Sequence, residues 1–130
     1  MKKIINIFIA LSLFIMAVLI FTYDVIIGGD IPVNIRFDEV IKFSIISFIY
    51  IILQLIYIIK NKHNPLILNL IFSVCLTFIW TMCFMNNLTY RYHKYATLTG
   101  GIGFFSTIFI LVMYILAFKK KYFIKIQDNK

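Results

Sequence analysis

No acid and no base falls in the middle of any of the four long apolar runs that dominate this 130-residue chain. The runs cover residues 4–22, 43–59, 66–85 and 96–118. Their lack of a central charge argues against proton- or ion-coupled chemistry at a carboxylate deep in a membrane. Acids are scarce throughout, with 5 Asp and Glu against 13 Lys and Arg. The sequence contains no HExxH, no CxxC and no close pair of histidines, so no metal-ligand set is written in it. It has no nucleophile–base–orienter set and no Gly-rich phosphate loop. These absences predict a non-enzymatic protein without a metal or cofactor.

The two cysteines, Cys75 and Cys83, both lie in the third run. Eight helical residues separate them by about 12 Å. A disulfide needs Cα atoms within about 7 Å, so the two cannot pair and are expected to serve as small packing residues. The 2 prolines and 5 glycines form no linker, and no internal repeat is visible. One domain is expected.

What is present is hydrophobicity, 62% of residues. A small soluble domain has too much surface to hide that share. A membrane-crossing helix needs about 20 apolar residues, a length each run approaches or exceeds. The expected fold is therefore an all-α integral membrane protein, an antiparallel four-transmembrane-helix bundle capped by a small outer loop or β-hairpin. The first run follows Lys2 and Lys3 as a signal peptide would, yet no small-residue cleavage site follows it. It is expected to stay as the first helix.

The net charge of +8 tracks topology rather than a nucleic-acid partner. Nine cations flank the runs on one side: Lys2, Lys3, Lys60, Lys62, Lys119, Lys120, Lys121, Lys125 and Lys130. Four lie on the other side: Arg36, Lys42, Arg91 and Lys94. The positive-inside rule then puts both termini in the cytoplasm of a multi-pass cell-membrane protein. Abundant Ile, Lys, Asn and Phe suggest an AT-rich bacterial genome. The tail, residues 119–130, offers Lys119, Lys120, Lys121 and Lys125 as anchors to an anionic inner leaflet.

The outer segments are residues 23–41 and 86–95. In the first, Gly28-Gly29 precedes Ile31, Val33, Ile35 and Phe37 alternating with polar residues, a hairpin signal. An irregular loop dipping into the headgroups is the other reading. This segment carries Asp24, Asp30, Asp38 and Glu39, and the second carries Arg91, His93 and Lys94. Their opposite signs predict contact between the two. Tyr90, Tyr92 and Tyr95 suit an interfacial aromatic belt. Between the second and third runs, Asn64 and Pro65 suit a helix start, and a connection this short predicts antiparallel neighbours.

Each run carries a stripe of small or polar residues at helical spacing. They are Asn6, Ala10, Leu13 and Ala17; Ser47, Tyr50, Gln54 and Tyr57; Asn69, Ser73, Thr77 and Trp80; and Thr99, Gly103, Ser106 and Ala117. In lipid such stripes are packing seams. Alternatively Gln54, Asn69, Ser73, Thr77, Thr99, Gly103 and Ser106 line a path for a polar solute. Ile110 is expected to face lipid. The first run lacks the membrane-embedded glutamate on which small multidrug exporters depend. Gly101 to Phe109 is rich in Phe, Ser and Thr like a segment of fluoride channels, but it stands in the fourth run rather than the third.

The leading functional expectation is a small accessory or immunity-type protein that touches another membrane protein, or its own copies. The alternative is an oligomeric channel, holin-like pore or small-solute transporter.

Overall fold

The computed structural model describes residues 2–29, 34–60, 67–91 and 93–127. Its elements are four helices: α1 (Lys2–Gly28), α2 (Phe37–Lys60), α3 (Ile67–Tyr90) and α4 (Lys94–Gln127). Each is long and apolar enough to cross a membrane. No strand occurs among the described residues.

The hairpin reading is corrected at both of its flanks. Val25, Ile26 and Ile27 belong to α1, and Phe37 opens α2. Residues 30–33 lie outside the described ones. Helix wins over alternation because continuing α1 keeps its buried stripe in phase. Ala10, Leu13, Ala17, Ile20, Asp24 and Ile27 all fall on one buried face, at spacings of three and four residues.

α2 begins at Phe37 rather than Phe43 because the sequence carries a helix start there. The Glu39 carboxylate accepts the backbone N–H of Arg36 at 2.9 Å. This is the side-chain half of a capping box. Ile35 and Val40, one on each side of the cap, pack in one buried cluster with Ile27 and Ala96, in the manner of a hydrophobic staple. Asp38 and Glu39 also place negative charge in the first turn, where the helix dipole favours it. α4 is capped by His93, whose Nδ1 accepts the N–H of Tyr95 at 3.2 Å. α3 ends on Arg91, which adopts φ 46° and donates its N–H to the Asn87 carbonyl at 3.0 Å. That is a left-handed helix stop.

α4 packs closely on α3 and α2, and α1 lies against α2 with lighter contact to α3 and α4. α2 and α3 are not backbone neighbours: none of their described Cα atoms approach within 8 Å. The short connection therefore does not dictate adjacency, because α4 has the small residues that take the closest position. α2 and α3 meet through rings instead, with Phe43 and Trp80 centroids 5.9 Å apart. Trp80 also meets Phe21 of α1 edge-on at 5.2 Å. Ile110, expected to face lipid, is buried in this core. The faces turned away from the core are equally apolar, with Phe8, Phe48, Phe78 and Phe105 exposed. Hydroxyls on these helices are satisfied locally: Ser12, Thr22, Thr81 and Thr89 each donate to the carbonyl four residues back. Such bonds remove the cost of a bare hydroxyl in apolar surroundings.

Arg91 stands where glycine is the unstrained choice. Arg91→Gly is expected to raise stability by about 0.5–1 kcal/mol, read from thermal unfolding of the purified protein in detergent. A midpoint at or below that of the wild type contradicts strain at this position.

Candidate functional site

Several spaces and one polar network lie along the bundle among the described residues. One space is a cleft of about 300 Å³ at the end that carries the α1–α2 and α3–α4 connections. It opens between α1, α3 and α4, and α1 holds α3 and α4 only loosely. Its polar wall is Asp24, Cys83, Asn86, Asn87 and Thr99, and its apolar wall is Val25, Ile35 and Ala96.

Asp24 is 6% exposed. The Cys83 thiol, a weak donor, reaches its Oδ2 at 3.8 Å, and Thr99 lies beside it. Its Oδ1 has no hydrogen-bond partner among the described residues. Asn87 is fixed across the cleft: its Nδ2 donates to the Ala96 carbonyl at 3.0 Å and lies 3.9 Å from Cys83 Sγ. A buried carboxylate without a counter-ion is costly, and a protein keeps one where something pairs with it.

Beyond the cleft, Trp80 lies flat against Gly103 of α4. A Cβ at Gly103 would fall inside the indole ring. Gly100 and Gly101 serve the same approach, the first against the Asn87 amide at 2.6 Å from a would-be Cβ, the second against the Phe84 ring at 3.3 Å. Next along the bundle is a void of about 20 Å³ lined by Ser47, Tyr50, Ser106 and Thr107. Ser47 Oγ has no partner there among the described residues. A third void, about 10 Å³, touches Gln54, Asn69 and Ser73.

The network closes the bundle between these small voids and the end with the termini. Tyr114, fully buried on α4, donates to Gln54 Oε1 on α2. Gln54 Nε2 donates to Tyr50 at 2.7 Å, and Asn69 Nδ2 on α3 donates to the Tyr114 hydroxyl at 3.1 Å. Tyr57 lies beside Asn69. Three helices are thus tied by groups that satisfy one another, which a buried polar set must do.

The residues picked from the sequence separate by place. Gln54 and Asn69 are in the network, and Ser73 edges the smallest void. Thr77 bonds the Ser73 carbonyl at 2.7 Å and reaches toward the Thr107 carbonyl of α4 at 3.5 Å. Thr99 lines the cleft, Gly103 receives Trp80, and Ser106 lines the middle void. Trp80 stands between the cleft and the rest, so these residues do not share one space.

The ion pairs among the described residues of the outer segments run within one segment. Among the described residues neither Arg91 nor Lys94 makes an ion pair with Asp24, Asp38 or Glu39. Asp38 is taken by Arg36 at 3.3 Å and Lys42 at 3.5 Å, neighbours in sequence. Glu39 is used as a cap, and Asp24 is turned inward by the longer α1. Asp30 lies outside the described residues. The segments do meet, through Phe37 and Tyr95 rings 5.9 Å apart. Lys94 Nζ rests 4.9 Å from the Tyr95 centroid. His93 caps α4. Lys119, Lys120 and Lys125 are exposed on a helical extension of α4 rather than a separate tail, and Lys121 is half-buried there.

No protein-family model matches this chain, and no curated protein or solved structure matches it significantly. The functional reading therefore rests on the geometry.

Sequence reasoning misses Tyr114 and the inward placement of Asp24, which it assigns to the outer face. Tyr114 continues the α4 stripe from Thr99 through Gly103, Thr107 and Ile110. Asp24 continues the α1 stripe, one turn past Ile20. Following each stripe to its end would have found both.

Two measurements test this arrangement. Gly103→Ala is expected to cost about 1–3 kcal/mol by overpacking, whereas Phe105→Leu on the exposed face should be nearly silent; equal losses in detergent unfolding would refute the indole slot. Gln54→Leu should cost about 1–3 kcal/mol by leaving Tyr50 and Tyr114 short of a partner, and it should lose more than Gln54→Glu at acidic pH, where the acid is protonated and restores a donor and an acceptor. Equal stability of the two variants there would remove the network from the account.

Proposed function

We propose that this is a multi-pass protein of a bacterial cell membrane, both termini cytoplasmic, that acts by contact with another membrane protein and catalyses no reaction. The observation that carries the reading is the closed middle of the bundle. Trp80 seated on Gly103, followed by the Tyr50–Gln54–Tyr114–Asn69 network, occupies the space between helices apart from voids of about 20 and 10 Å³. Packing of this kind supports contact rather than passage of a solute. Its apolar outer faces suit lipid and neighbouring helices. The uneven Lys and Arg distribution supports the orientation. The exposed lysines of the α4 extension suit an anionic inner leaflet.

A second reading is a small-solute transporter in its outward-open form, favoured by the blind cleft with Asp24 at its wall. The two readings part on flux. Liposomes containing the protein should be as tight to small ions and solutes as protein-free ones. Solute flux that scales with the amount of folded protein would replace the contact reading with the second. Orientation is tested separately. Single cysteines introduced at positions 62 and 125, with Cys75 and Cys83 replaced, should be labelled from the cytoplasm, and one at position 92 from outside. Termini found on the outer side would reverse the assignment.

A further inference from the structure

We propose that the cleft between α1, α3 and α4 binds the protonated primary amine of a small ligand with a short apolar tail, the ammonium pairing with the Asp24 carboxylate. The inference is independent of the contact reading and stands on four observations. First, Asp24 lines the cleft, is 6% exposed and has an oxygen without a partner among the described residues. Rotation about its χ2 exchanges the two oxygens, so either can meet a donor. Second, the described cations of the neighbouring segments are committed elsewhere or turned outward. Arg36 and Lys42 pair with Asp38, Lys94 rests on Tyr95, and Arg91 is exposed. The counter-charge must come from outside the bundle.

Third, the remaining walls select the kind of cation. The described residues hold no group of three or more His, Cys, Asp or Glu fit for a metal ion. At about 300 Å³ the cleft is far roomier than a bare ion requires and sits at the lower end of the range for small-molecule sites. Val25, Ile35 and Ala96 give one side an apolar lining that suits a hydrocarbon stub. Fourth, no aromatic ring among the described residues lines the cleft, whereas quaternary ammonium groups are held by aromatic cages. The polar lining includes acceptors for N–H, the Asp24 carboxylate and the Thr99 hydroxyl among them. A primary ammonium has three such donors to give.

The test uses the full chain in nanodiscs, n-butylammonium as the probe and equilibrium dialysis as the readout. Saturable binding of one probe per chain is expected. Asp24→Asn, nearly identical in shape, should weaken it at least roughly tenfold, the loss of one charged hydrogen bond. Asp38→Asn, at an exposed acid, should bind as the wild type does. On the wild type itself, neither sodium nor tetramethylammonium should displace the probe at equal concentration. The proposal is overturned if folded wild type shows no saturable binding up to millimolar probe, as it would if Asp24 held a proton instead. Equal binding by folded Asp24→Asn overturns it too, as does displacement by sodium or tetramethylammonium. A tight liposome leaves this result untouched, and failure to bind the amine leaves the contact reading standing.

Discussion

The close approach of α3 to α4 is the constraint on which the other contacts rest. Apolar side chains gain little by leaving lipid for one another, so helices in a membrane hold together by packing density and buried hydrogen bonds. Gly100, Gly101 and Gly103 leave a trough on α4, and α3 lays Asn87, Phe84 and Trp80 into it. With Trp80 held there, Phe21 meets it edge-on and Phe43 at a tilt from the other two helices. The seat of α1 and of α2 thus follows from a missing side chain on α4. The same trough explains why α4, the last helix in the chain, is the one that separates α2 from α3.

The polar groups divide into those that close the bundle and those with an oxygen left without a partner among the described residues, Ser47 and Asp24. Tyr50, Gln54, Asn69 and Tyr114 make bonds across three helices, and each bond is worth more where water is absent. Such a set fixes register, because sliding a helix by one turn would leave several groups bare at once. Asp24 is different in kind. It sits where α1 parts from α3 and α4, beside a thiol that donates only weakly. A fold selected for stability alone would place an apolar residue there. The contrast between a satisfied network at one end and an unsatisfied carboxylate at the other gives the molecule a closed end and a receptive end.

The connections show local chemistry overriding pattern. Alternation and a Gly-Gly pair around residues 25–37 resemble a strand and turn, but caps carry more weight. Glu39 reaching back to Arg36, with Ile35 and Val40 packed across the cap, starts α2 early. His93 starts α4 in the same way. The first of these caps uses the Glu39 carboxylate within its own segment. What joins the segments is then apolar, Phe37 on Tyr95 and Ile35 with Ala96.

Length and hydropathy in the chain were enough to determine four membrane-length helices, since a run of that kind has no other way to satisfy its backbone in lipid. Helical spacing was enough to determine which face of α2 and of α3 is buried, and Ser47, Tyr50, Gln54, Asn69, Ser73 and Trp80 all lie where that spacing puts them. Periodicity names a face but not its neighbour. Only the tertiary structure decided that α2 and α3 do not adjoin, that Ile110 and Tyr114 are core residues, and that Asp24 turns inward while Asp38 stays out. The reason is physical. A helix boundary moved by one or two turns swings a side chain to a new place. Which helices approach most closely is settled by the fit of one surface against another, here an indole against a glycine, which no single segment contains.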